Sequence, residues 1–193
     1  MEACYFITGL PRTRTAWLAN LFSYQESFCY HEALKHVSSV NGLVEFLKAT
    51  DAKYVGDSDS GLPFVMEQVI DHFPNARLVV IERDPNSVIE SLRKAFPFAS
   101  VDFPEMVLRA AHAIEELKKK FRPLVVAHRD LERMEICRRV WDYCLPDVPF
   151  NERRWQMLDP LTVEIRPDKY LKSISPESAR WSVELVKNYK RNE

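Results

Sequence analysis

Residues 4–17 read Cys4-Tyr5-Phe6-Ile7-Thr8-Gly9-Leu10-Pro11-Arg12-Thr13-Arg14-Thr15-Ala16-Trp17. The apolar run at 4–8 predicts a short buried strand. Thr15–Phe22 predicts a helix with Trp17, Leu18, Leu21 and Phe22 on one face. Between them lies a short loop rich in hydroxyl and guanidinium groups. A strand, a loop and a helix N-terminus in that order bring free backbone N–H groups and the positive end of a helix dipole onto an anion. Arg12 and Arg14 each offer forked donors to oxyanions, and Thr13 and Thr15 add hydroxyls. The plainer alternative is a loop whose arginines pair with surface carboxylates.

The loop differs from the nucleotide-kinase pattern G-x-x-x-x-G-K-[ST]. With Gly9 in the first place, Arg14, Thr15 and Ala16 fall where glycine, lysine and Ser/Thr belong. The lysine that grips phosphate and the hydroxyl that binds magnesium are both missing, which argues against ordinary magnesium-ATP chemistry.

The bulk composition is that of one ordinary globular domain over residues 1–193, with 46% hydrophobic and 28% charged residues. A net charge of −1 lacks the basic bias of a nucleic-acid binder, so any anion site is local. Four cysteines, Cys4, Cys29, Cys137 and Cys144, form no C-x-x-C pair, the pattern of buried reduced thiols in a cytoplasmic protein. No apolar run reaches membrane-spanning length, and the N-terminus enters a strand rather than a signal peptide.

Beyond the first helix, Val40–Ala49 predicts a second one. Tyr54-Val55 reads as a strand end leading into a polar loop, Gly56–Gly61, and Pro63 opens a helix to His72. Leu78–Ile81 is a strand covered on both faces. Asp84-Pro85 behind it gives an N-cap and a first-turn proline. Helices follow at about 104–121, 131–145 and after Ser175-Pro176-Glu177, with a strand at Leu124–Ala127. Alternating strands and helices imply a three-layer α/β fold: a mainly parallel sheet, helices on both faces, and ligands at the strands' C-terminal ends. All four glycines precede residue 62, so later anion contacts must come from side chains.

Arg83 also stands at a strand end, so it should approach the ligand of Arg12. Ser91 lies eight residues on, about two helical turns away, on the face that turns back toward Arg83. The plainer alternative is a helix cap with a surface arginine.

Gly9–Trp17 resembles the 5′-phosphosulfate loop of sulfotransferases that use 3′-phosphoadenosine-5′-phosphosulfate, which reads Pro-(Lys/Arg)-Ser-Gly-Thr-Thr. Arg83–Ser91 is similar to that family's 3′-phosphate motif, Arg-(Asn/Asp)-Pro with a serine eight positions after the arginine. Val125–Leu131 echoes its later strand and Tyr-Glu-Asp-Leu turn. The resemblance spans about residues 4–155 and implies a fold related to P-loop nucleotide kinases that binds this donor without metal. It implies that Arg12 faces the transferring sulfuryl group and that Thr13, Arg14 and Thr15 lie around the 5′-phosphosulfate. Trp17 would stack on adenine, and Arg83 and Ser91 would grip the 3′-phosphate. Arg14 departs from the family's glycine and Ala16 from its second threonine, and the late glycine-containing loop is missing.

His31-Glu32 supplies a candidate general base at the end of the second strand. His31 and His36 are five apart, not four, so the two-histidine zinc pattern fails. A glutamate or histidine base is what the resemblance implies, and Glu32 and His31 both stay open; a carboxylate stabilising a helix start is the plainer alternative. Asp57 and Asp59 read as a solvated turn with Asx-type hydrogen bonds. His72, His112 and His128 receive no role.

The expected function is sulfuryl transfer to a hydroxyl or amine of an unidentified small acceptor. No metal, nucleic-acid or membrane partner is expected. Residues 23–53 and the C-terminal third would have to supply the acceptor pocket. The rivals are an atypical P-loop kinase and a catalytically silent nucleotide- or anion-binding module of the same fold.

Overall fold

A computed structural model describes residues 1, 3–161 and 173–189. The remainder of the C-terminal third, where the sequence predicts part of the acceptor pocket, lies outside the described residues. Five strands form one sheet: β1 (Ala3–Gly9), β2 (Ser27–His31), β3 (Tyr54–Ser58), β4 (Arg77–Glu82) and β5 (Leu124–Ala127). Their order is β2-β3-β1-β4-β5, and every pairing is parallel. The helices are α1 (Thr15–Phe22), α2 (Val40–Lys48), α3 (Met66–Ile70), α4 (Pro85–Ala95), α5 (Phe103–Phe121), α6 (Met134–Cys144), α7 (Glu152–Leu158) and α8 (Pro176–Asn188).

Strand alternation divides the core in two. Phe6, Val55, Leu78 and Val80 face one side, where α2, α3, α4 and α5 cover them. Tyr5, Ile7, Val79 and Ile81 face the other, beneath α1 and α6. The central strands are therefore apolar at nearly every position, as expected of a sheet buried on both faces. The N-caps expected at Asp84 and Ser175 are present: the Asp84 carboxylate accepts from Ser87 N–H at 2.8 Å and Ser175 Oγ from Ser178 N–H at 3.0 Å.

Two differences from the sequence reading matter. β3 continues through Gly56 and Asp57 to Ser58, so the first half of the loop expected at Gly56–Gly61 is buried strand and only the second half is turn. The helix expected at 131–145 is a 3-10 turn over His128–Glu132 followed by α6.

The strand order places the site. The chain leaves β1 into α1 on one face and leaves β4 into α4 on the other, so a crevice opens between the C-terminal ends of these adjacent strands. Gly9 allows their close approach. A Cβ there would lie 2.4 Å from Ile81 O and 2.9 Å from Thr13 Oγ1.

Candidate active site

Arg12 and Arg14 both adopt left-handed backbone, with φ of 70° and 65°. Left-handed conformations cost a side-chain-bearing residue about 1–2 kcal/mol. Neither residue is the glycine or asparagine that signals such a turn. The tertiary structure holds the loop. Arg83 donates from its guanidinium to the Arg12 carbonyl, and Thr13 Oγ1 donates to Leu10 O at 2.8 Å. Arg12 in turn donates from Nε to Ser91 Oγ at 3.1 Å. The three residues expected at the two ends of a ligand, Arg12, Arg83 and Ser91, thus meet at one point. Burial, and then the charge of Arg83, lower the Arg12 pKa. Two half-buried guanidinium groups in one crevice form a local cationic site that net charge does not reveal.

The other loop residues divide. Arg14 reaches over the 128–132 turn, donating to Leu131 O at 3.4 Å, and its guanidinium lies 5.0 Å from the Trp17 ring centroid. Trp17 is 3% exposed, and its indole N–H donates to Leu158 O at 2.9 Å. The ring is core, roofed by Arg14 and anchored to the end of α7, whereas the family resemblance sets it against adenine. Thr13 is fully buried, and its hydroxyl donates to Leu10 O and braces the loop.

Thr15 faces the end of β2. Its Oγ1 lies 3.3 Å from His31 Nε2, which lies 3.6 Å from Glu32 Oε1. The candidate bases thus sit beside the N-terminus of α1. Burial lowers the His31 pKa below the ordinary imidazole value, against the opposing pull of Glu32. A neutral imidazole and a carboxylate side by side are both competent to accept a proton.

Asp57 and Asp59 do not form a solvated turn. Asp57 is 0% and Asp59 4% exposed, and both carboxylates accept backbone N–H groups of the segment after Glu32. His128, given no role from sequence, follows Ala127, the register partner of Glu82, and so stands beside Arg83. Burial and the charges of Arg83 and Arg14 push its pKa down to about 4. No spacing signal marks it; strand register alone brings it to the crevice. Among the described residues, no three His, Cys, Asp or Glu side chains are grouped to hold a metal ion, and no helix is long and apolar enough to cross a membrane.

Three solved structures share this architecture. The sulfotransferase domain from the curacin biosynthetic pathway matches with a TM-score of 0.59 at 15% identity, covering 100% of this chain and 93% of that one. Mouse sulfotransferase SULT7A1, complexed with PAP, matches with a TM-score of 0.59 at 12% identity, covering 100% and 86%. A sulfotransferase from Alicyclobacillus acidocaldarius matches with a TM-score of 0.57 at 13% identity, covering 96% of each chain. No protein-family model matches the sequence, and no curated protein matches it.

Proposed function

Taking the sulfotransferase fold of this chain as the premise, we propose that it transfers a sulfuryl group from 3′-phosphoadenosine-5′-phosphosulfate to a hydroxyl or amine of a small acceptor. The observation that carries the reading is the junction of Arg12, Arg83 and Ser91 through two hydrogen bonds. It joins the loop at the sulfuryl end of the donor to the motif for its 3′-phosphate.

The chain's groups suit such a donor. Arg83 and Ser91 hold the 3′-phosphate, and Arg12 with the first N–H groups of α1 holds the sulfuryl-bearing end. When bound, the donor supplies an electrophilic sulfur with a phosphate oxygen as leaving group. Arg12 and the helix N-terminus offset charge on that oxygen, the electrostatic contribution that lowers such barriers. Glu32, or His31 beside it, takes the proton from the acceptor hydroxyl or amine as its oxygen or nitrogen bonds to sulfur. The missing lysine and magnesium-binding hydroxyl favour this reading over a kinase.

The test is release of adenosine 3′,5′-bisphosphate from the donor against a panel of hydroxyl and amine acceptors without magnesium. Sulfation of an acceptor, lost in Arg12→Ala, is the expected result. The second reading, a silent binding module, is favoured by the turn of Thr13 Oγ1 to Leu10 O and by Ala16, which leave the loop with fewer hydroxyls for a sulfonate. Bisphosphate binding without turnover of any acceptor selects it.

A further inference from the structure

Glu32 has φ 59° and ψ 58°, a left-handed conformation that favours glycine. Three hydrogen bonds clamp the backbone around it. Its own N–H donates to Ser58 O at 3.2 Å. The next two N–H groups, of Ala33 and Leu34, donate to Asp57 Oδ1 at 3.1 Å and Asp59 Oδ2 at 3.3 Å. Asp59 is itself fixed from all sides. Its Oδ1 accepts from Gly61 N–H at 2.7 Å, its N–H donates to Ile7 O at 3.0 Å, and its carbonyl accepts from Thr8 Oγ1 at 2.7 Å.

This conformation sets the direction of the Glu32 side chain. Oε1 lies 3.6 Å from His31 Nε2 and Oε2 lies 4.0 Å from Lys35 Nζ. We propose that Asp57 and Asp59 are positioning residues, which hold Glu32 in its left-handed conformation and so aim its carboxylate at His31 beside the anion loop. The inference rests on the reading of Glu32 as the group that takes the acceptor's proton.

The two aspartates divide the task unequally. Asp59 uses both oxygens as acceptors, whereas Asp57 Oδ2 is buried with no hydrogen-bond partner. Burying an uncompensated anion is costly, and a buried carboxyl takes up a proton instead. Burial first, then the nearby Asp59, push the Asp57 pKa well above the carboxylate range; burial and Glu32 push that of Asp59 up to about 7. Of the pair's oxygens, Asp57 Oδ2, buried and unpartnered, is the one free to carry a proton. Asp57→Asn mimics this neutral form and keeps an oxygen for Ala33 N–H. Asp59→Asn turns an NH2 group toward a backbone N–H and must break one of the two bonds.

An NMR titration of His31 in the full chain separates positioning from a general structural role. The charged groups that act on His31 are Glu32, which raises its pKa, and Lys35, which lowers it. Glu32→Gln is expected to lower the His31 midpoint. Asp59→Asn is expected to lower it in the same direction, because Glu32 is released, and Asp57→Asn to leave it unchanged. An unchanged midpoint in Asp59→Asn, or in Glu32→Gln, overturns the proposal. If Asp59→Asn fails to fold, the wild-type amides decide. The amides of Ala33, Leu34 and Gly61, which donate to the two aspartates, are expected to be protected from hydrogen exchange, and fast exchange at any of them overturns the proposal. Calorimetry with adenosine 3′,5′-bisphosphate isolates the underlying reading. Equal binding by wild type and Asp59→Asn accords with both claims. No binding by wild type removes the sulfotransferase reading, while the His31 titration still judges the clamp.

Discussion

Arg12 Nε donates to Ser91 Oγ at 3.1 Å, across 79 residues of chain. The same arginine's carbonyl accepts from Arg83, so its main chain and its side chain are each held by the β4–α4 segment. The loop after β1 and the helix after β4 are therefore one structural unit, poised over the crevice that the strand order creates.

Removing Arg83 tests that unit. A charge-assisted hydrogen bond contributes about 1.5–3 kcal/mol, or about 10- to 150-fold in affinity. Arg83→Ala is expected to weaken adenosine 3′,5′-bisphosphate binding by that factor, as read by calorimetry. Affinity equal to wild type would separate Arg83 from the anion site.

The left-handed backbone of Arg14 gives a contrast between two substitutions. Arg14→Gly relieves a cost of about 1–2 kcal/mol and loses a cation–π contact of about 0.5–1 kcal/mol. Its melting temperature should stay within about 4 °C of wild type. Arg14→Val puts a β-branched residue where φ is positive, and should lose about 2 kcal/mol, or about 4–8 °C. Equal thermal melts for the two variants would contradict the backbone geometry.

Gly9→Ala places a methyl group 2.4 Å from a backbone carbonyl oxygen, where no flexible side chain can yield. A destabilisation of about 1–3 kcal/mol in urea unfolding is expected, with loss of bisphosphate binding as the β1 and β4 ends part.

His128 gives a pH signature. Its folded pKa, pushed down to about 4, lies below the ordinary 6.5, so folding favours the neutral ring. Its contribution is fully present above pH 6.5 and is lost as pH falls from 6.5 toward 4. The urea midpoint of wild type minus that of His128→Asn should therefore fall across this window and stay flat above it. A difference that does not change with pH would remove the electrostatic link to Arg83 and Arg14.

Much of this arrangement is legible in the sequence because the signals are local. A β-branched run at Leu78–Ile81, an Asp-Pro cap behind it and an apolar 4–8 segment define the two strands of the crevice. Other features depend on tertiary context. Asp57 and Asp59 look like turn residues until β2 and its following turn deliver the backbone N–H groups that bury them. Arg12, Arg14 and Glu32 give no letter-level sign of positive φ, because the strain is held by partners far along the chain. Trp17 sits at a position the family resemblance assigns to adenine, yet its helix face belongs to the core. α7 has no fully buried residue and so no periodic stripe; it is anchored instead by Arg154, which donates to the Leu21 and Ser23 carbonyls at 3.2 and 2.8 Å.

The proposed function requires that the Arg12–Arg83–Ser91 crevice grip an adenosine 3′,5′-bisphosphate skeleton. Isothermal titration calorimetry of the wild-type chain with adenosine 3′,5′-bisphosphate, in magnesium-free buffer and beside magnesium-ATP, tests it most directly. One bisphosphate is expected to bind per chain without magnesium, and magnesium-ATP much more weakly. No heat with the bisphosphate, or tighter binding of magnesium-ATP, would contradict it.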